Sequence, residues 1–168
     1  MTKRTRFLAH AALLASLYAS LCWLQNLLLP GSASWAIQFR AAEALCVLAL
    51  FTPAAIPGLT VGCLLFNLTF SGALPLDFLL GTAATLFSVA AMYLLRNLRP
   101  AGYPLPAMVM PALFNALLVG WELAIYIGGS FWLNALYVAI GELAVLLTLG
   151  TALYYAIRSR GLDSRLFG

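Results

Sequence analysis

Charge is scarce in this chain: only 8% of its 168 residues are Asp, Glu, Lys or Arg, and there is one histidine. Cysteine is scarce too. Cys22, Cys46 and Cys63 are odd in number, lack metal-ligand spacing and fall in or beside apolar runs. They read as free thiols packed as small apolar groups, not as a disulfide framework or a metal site. No Gly-x-x-x-x-Gly-Lys-Ser/Thr loop is present, so the chain cannot hydrolyse ATP unaided. His-Glu-x-x-His, Gly-x-Ser-x-Gly and paired-cysteine motifs are missing as well, and nothing resembles an activated nucleophile. The reading is therefore a protein that is not an enzyme, with no cofactor and no metal. The net charge of +4 does not point to nucleic acid, because the basic residues form small clusters between apolar runs, as topology determinants do.

What the sequence has in excess is apolar surface. Hydrophobic residues make up 64% of the chain and the mean hydropathy is +0.98, more than a soluble core of this length needs. The expectation is an all-α integral membrane protein, residues 1–168 forming a single transmembrane domain.

Lys3, Arg4 and Arg6 precede an apolar run over 7–29, about 34 Å of helix at 1.5 Å per residue and long enough to cross a bilayer. Gly31-Ser32-Ala33 would suit a signal-peptide cleavage site. The run is longer than an h-region, however, and carries Gln25 and Asn26, so a retained span is expected. Ala11, Ala15 and Ala19 recur every four residues, with Ala12, Ser16 and Ser20 one step round. Such a small-residue stripe lets another helix approach closely. His10 reads as an interfacial residue. Pro30-Gly31-Ser32-Ala33-Ser34 reads as a turn and Trp35 as an interface residue.

The stretch from Ala44 to Phe70 poses a choice between one span interrupted by Pro53 and Pro57 and two short spans turning there. With the amino terminus cytoplasmic, one span gives five crossings and puts Arg96, Arg99, Arg158, Arg160 and Arg165 outside. Two spans give six crossings and leave Arg40 as the one basic residue away from the cytoplasm. The positive-inside rule selects six, with both termini cytoplasmic. The expected helices are 7–29, 36–51, 58–70, 76–95, 107–127 and 131–157. The second, at about 24 Å, is short for a bilayer.

The polar residues inside these spans carry the functional argument. Arg40 and Glu43 stand three apart and would share a helix face at the outer end of the second span. An unsupported charge in a span costs about 2.5–3.5 kcal/mol on insertion scales, so such groups mark substrate or proton paths, or brace helices. Asn67 lies near the outer end of the third span, and Asp77 opens the fourth, followed on its face by Gly81, Thr85 and Ser88. Asn115, Val119, Glu122 and Tyr126 share a face of the fifth; Asn134, Tyr137, Gly141 and Glu142 share one on the sixth. Glu122 falls about 7 Å and Glu142 about 15 Å below the outer ends of their helices. All these groups converge on a cavity open to the outside. Trp35, Trp121, Tyr126, Trp132 and Tyr137 lie at similar depth, either as a stacking surface or as an interfacial belt. One arginine cannot neutralise Glu43, Asp77, Glu122 and Glu142, so some carboxyls carry protons or meet donors on a ligand. A ligand rich in N–H groups fits. Carboxylates accept from the amidine-like edge of a guanine, and carboxamides can read its carbonyl.

Five segments from the second helix to the sixth carry a resemblance. They are Phe39-Arg40-x-x-Glu43-Ala44-Leu45, then Gly58-Leu59-x-x-Gly62-Cys63-x-x-x-Asn67, then Asp77-x-x-x-Gly81-Thr82-Ala83-Ala84-Thr85-Leu86. Asn115-Ala116-x-x-Val119-Gly120-x-Glu122-Leu123 and Gly141-Glu142-x-x-Val145 follow. In order and spacing the chain resembles the QueT family, queuosine-precursor transporters among the substrate-binding (S) components of energy-coupling-factor (ECF) transporters. The residue before the glutamate is often serine in that family; here it is Ala42, which removes one hydrogen bond to ligand or Glu43.

The resemblance implies a six-helix S component in a prokaryotic cell membrane that captures a deazaguanine from outside. It implies a transmembrane coupling subunit and two cytoplasmic ATPases as partners. In such transporters the S component topples in the membrane, and its alanine-rich first helix docks on the coupling subunit, the role that fits Ala11, Ala15 and Ala19. On this reading Glu122 and Glu142 accept from the base edge, Asn67 and Asn115 orient it, Asp77 or Glu43 meets a cationic substituent, and Arg40 braces the site as counter-charge to Glu43 or Asp77. The alternatives are an S component for another vitamin, a stand-alone proton-coupled transporter, and a structural subunit without a ligand.

Overall fold

The computed structural model describes residues 2–32, 39–70 and 72–163, which are helical with no strand among them. Trp35, the start of the expected second span at Ala36 and Arg165 lie outside the described residues.

Helix α1 (Lys3–Leu28) starts at Thr2, whose Oγ1 accepts from the Thr5 amide at 3.2 Å and satisfies one free helix-end donor. Lys3, Arg4 and Arg6 sit in and beside its first turn, where the helix dipole favours acids. Helix stability therefore does not explain them.

The second element, α2 (Ala41–Leu50), departs from expectation. It is a 3₁₀ helix, and every residue from Ala42 to Leu50 is buried. Its neighbours are α1 and the helices that follow, so it runs through the middle of the bundle. Two properties suit it to that place. A 3₁₀ helix rises about 2.0 Å per residue, so ten residues reach about 20 Å. Ala42, Ala44, Cys46 and Ala49 keep it thin enough to be enclosed on all sides. Runs of this length are uncommon and persist where surrounding structure holds them.

A turn through Thr52, Pro53 and Ala54 leads to α3 (Ala55–Thr69), which begins three residues before the expected Gly58. Pro57 falls in its first turn, where a missing N–H costs nothing. Then come α4 (Asp77–Leu95), α5 (Leu105–Tyr126) and α6 (Phe131–Ser159). Gly128 and Gly129 turn α5 into α6 with φ of 91° and 85°, a region that favours glycine. Within α6 the Leu146–Gly150 segment widens into a π turn, and Gly150 there meets Val47 of α2 and Met108; an added Cβ would come within 3.2 and 3.3 Å of them.

Helices α1, α4, α5 and α6 are long and apolar enough to cross a membrane; α2 and α3, at 10 and 15 residues, are shorter. In space α1, α3, α4, α5 and α6 pack in that order, and α2 lies against α1, α3, α4 and α6. The α1–α3 contact is close. A Cβ on Gly58 would come within 2.7 Å of the Ala11 carbonyl oxygen, and one on Gly62 within 2.6 Å of that of Ala15. Ala11 and Ala15 are accordingly buried against α3. The small-residue stripe expected to face a partner thus makes an internal contact at two of its three positions. Ala19 is half-buried, and the exposed small row is Ala12, Ser16 and Ser20.

Candidate functional site

Where α3 ends and α4 begins, the bundle opens into a cavity of about 190 Å³. Its polar wall is Arg40, Asn67 and Asp77; its apolar wall is Phe66, Phe70, Leu74, Val119, Leu123 and Ile127. The Asn67 Nδ2 donates to the Asp77 carbonyl at 2.8 Å and closes the α3–α4 turn. The Leu74 amide donates to Asp77 Oδ2 at 3.0 Å. That bond leaves Oδ1 facing Arg40 Nη2 at 3.9 Å, the outer limit for an ion pair. All three polar residues border Gly81, where a Cβ would lie 3.0 Å from Asn67 Nδ2 and 3.5 Å from Asp77 Oδ1. Glycine is what lets the cluster close over α4.

Arg40 is held from α1. The Gln25 Nε2 donates to the Phe39 carbonyl and, at 2.9 Å, to Ser32 Oγ, while its Oε1 accepts from the Ala41 amide at 2.7 Å. This pins the backbone on both sides of Arg40. Its Nε has no hydrogen-bond partner among the described residues, so the guanidinium keeps donors to offer.

Of the two counter-charges expected for Arg40, Glu43 and Asp77, the structure pairs it with Asp77, and Glu43 has partners of its own. Arg40 is the residue before α2, with extended φ and ψ of −96° and 97°, so the rule that places i and i+3 on one helix face does not reach it. It turns to Asp77. Glu43 turns to α1 and is fully buried: its Oε1 accepts from the Tyr18 hydroxyl, and its Oε2 accepts from Cys46 Sγ at 3.2 Å.

The other two carboxyls are less well supplied. Glu122 is fully buried between Val119 and Leu123 of the cavity wall, and neither of its oxygens has a hydrogen-bond partner among the described residues. Its nearest polar neighbours are Asp77, the strongest charged one, and the Leu76 backbone. Glu142 is buried on α6 with Oε2 unpartnered among the described residues, and its strongest charged neighbour is Glu43. The carboxyls therefore fall into two pairs, Asp77 with Glu122 beside the cavity and Glu43 with Glu142 deeper, with Arg40 acting on both.

Asn115 is buried, but its Nδ2 donates back along its own helix to the Pro111 carbonyl at 3.0 Å. Asn134 likewise bonds the Gly128 carbonyl at 3.0 Å and fixes the α5–α6 turn. Thr85 and Ser88 are buried on the Gly81 face of α4, and Ser88 Oγ is unpartnered.

The aromatic wall differs from expectation. Trp121, Tyr126 and Trp132 are exposed on the outer surface, as an interfacial belt would be, and Tyr137 is half-buried. The cavity's rings are Phe66 and Phe70, stacked with centroids 5.1 Å apart and braced edge-on by Trp23. Among the described residues no three His, Cys, Asp or Glu side chains form a metal-holding group. Tyr18, Gln25, Cys46 and the two phenylalanines are the site's supports that sequence reasoning passed over. Tyr18 alone left a signal, a hydroxyl on the same face of α1 as Ala11 and Ala15.

Among the described residues, four buried carboxyls stand against one buried guanidinium, and neither oxygen of Glu122 has a hydrogen-bond partner. Leaving a buried polar group unsatisfied costs about 1–3 kcal/mol, which a ligand bringing N–H donors would offset. The geometry suits capture of a small, donor-rich molecule. No curated protein and no solved structure matches the chain. The family model described as QueT transporter matches residues 8–159. That match spans nearly the whole chain and reaches all six helices. The chain belongs to the QueT transporter family.

Proposed function

We propose that this chain is the substrate-capture component of an ECF-type importer and binds a deazaguanine precursor of queuosine. Glu122 carries the reading: a buried carboxylate beside a cavity, with no hydrogen-bond donor of its own, fits the donor edge of a guanine-like base. Arg40 offers an N–H group toward the base carbonyl, Asn67, whose Nδ2 donates to the Asp77 carbonyl and Cys63 Sγ, keeps Oδ1 to accept from the base, and Asp77 stands where a cationic substituent would sit. Phe66 and Phe70 provide a flat wall. Glu43, already supplied by Tyr18 and Cys46, braces the site, and Glu142 and Asn115 support it from a second layer.

The charge distribution supports six crossings with both termini cytoplasmic. Lys3, Arg4 and Arg6, then Arg96 and Arg99, then Arg158 and Arg160 occupy the helix ends opposite the cavity. The cavity then faces outward. The exposed row Ala12, Ser16 and Ser20 is the surface of α1 on which a coupling subunit would dock, and two ATPase subunits would drive the cycle. Mass spectrometry of small molecules copurifying with the protein tests the reading. A deazaguanine is expected; recovery of a different vitamin moves the chain to another S-component specificity. The proximity of Glu43 and Glu142 favours a second reading, stand-alone proton-coupled transport. That reading requires uptake into vesicles containing this chain alone, driven by a pH gradient without ATP.

A further inference from the structure

A second concavity lies away from the cavity end, and it is built of hydrocarbon. Leu13, Leu14 and Leu17 of α1 face Leu153 and Ile157 of α6 across a groove of about 350 Å³ floored by Leu45 and Leu48 of α2. His10 lines this groove and also the neighbouring hollow of about 390 Å³, which is bordered by Lys3, Arg6, Phe7 and the Thr52–Ala54 turn. An apolar slot thus leads into a pocket carrying two cations, both exposed.

The dimensions suit one leaflet. Arg6 to Leu17 spans about 16 Å along α1, close to half of a hydrocarbon core about 30 Å thick. The charge suits an anion. Among the described residues near this end, Asp163 is the lone acid beside Lys3, Arg4, Arg6, Arg158 and Arg160. The walls suit a flexible chain better than a protein helix. Close helix approach needs small residues, and on α1 the exposed small row Ala12, Ser16 and Ser20 lies about a quarter-turn from this leucine-lined flank.

We propose that the groove holds one acyl chain of an anionic phospholipid, whose phosphate is held by Lys3 and Arg6. The phosphate accepts charge-assisted hydrogen bonds from both side chains, and the acyl chain lies on Leu45 and Leu48 of the central helix that bears Glu43. Head-group choice comes from the cations, each strengthening attraction to an anionic lipid about five-fold. The groove itself accepts any acyl chain.

The test reconstitutes the full chain in bilayers of equal phosphatidylcholine and phosphatidylglycerol and counts retained lipid by native mass spectrometry. The wild-type chain is expected to retain phosphatidylglycerol over phosphatidylcholine by tenfold or more. The Lys3→Gln, Arg6→Gln double variant should lose that preference, and Arg99→Gln should keep it. Leu17→Trp, which fills the groove, should lose both lipids. A photoreactive group in place of Leu17 should capture lipid in native membranes. Equal retention of the two lipids by the wild-type chain, an unchanged preference in the double variant, or capture of protein without lipid at position 17 would each overturn the proposal.

Discussion

At the scale of single residues, the site rests on which carboxyl oxygens have donors. Glu43 has two, from Tyr18 and Cys46, whereas Glu122 has none among the described residues. Removing a donor from Glu43 is therefore a loss, whereas an amide in place of the Glu122 carboxyl breaks no hydrogen bond among the described residues. Tyr18→Phe leaves a fully buried carboxylate oxygen unsatisfied. Hydrogen bonds between membrane helices average about 0.6 kcal/mol and reach about 1.7 kcal/mol. Because this one is charge-assisted and its acceptor is left without water, the upper end applies. Unfolding of purified Tyr18→Phe in detergent should show a loss of about 1–2 kcal/mol, with Cys46→Ala closer to the average. Arg40, Glu43, Asn67, Asp77 and Glu122 were legible in the sequence as polar residues out of place in apolar runs. Their partners were not. The Arg40–Glu43 spacing suggested a helical pair because the extended backbone at Arg40 leaves no mark in the sequence. Tyr18 escaped notice because one tyrosine amid the apolar residues of α1 carries little contrast, and Gln25 reads only as a polar residue foreign to a signal peptide, since nothing in the sequence shows that it binds the backbone around Arg40.

At the scale of elements, α1 and α3 depend on two glycines. Gly58 and Gly62 let the backbones of Ala11 and Ala15 come into direct contact, so the small-residue stripe serves the chain's own packing. Overpacking a tight contact costs about 1–3 kcal/mol, and backbone on the far side cannot rotate away as a side chain can. Gly62→Leu should therefore lose about 3 kcal/mol in denaturant unfolding, and α1 should become sensitive to protease. Ala12→Leu, on the exposed row, should change stability by less than about 0.5 kcal/mol and instead weaken copurification with a coupling subunit. Apolar periodicity and the proline turns placed α1, α4, α5 and α6 within a few residues of their observed bounds. It could not reveal that α2 is a 3₁₀ helix. An element buried on every side has no polar face, so its pattern does not distinguish one helical pitch from another.

At the scale of the whole molecule, two ends differ in kind. One holds four carboxyls, a guanidinium and a small cavity; the other carries the basic clusters and the leucine groove. This polarity was legible in the sequence, because alternate helix ends sort the charges once the turns are known. The cavity's phenylalanine wall was not, since apolar aromatics in an apolar chain carry no contrast. The central claim is that a donor-rich base completes the unpartnered carboxyl of Glu122. Calorimetry of the purified chain with a deazaguanine, beside Glu122→Gln, tests it most directly. The wild-type chain should bind tightly without ATP. The variant should bind at least tenfold more weakly while unfolding at a closely similar temperature, because the amide keeps the carboxyl's shape and breaks no hydrogen bond made among the described residues. Equal affinity in the two proteins, or a variant that unfolds earlier and binds unchanged, would contradict the account.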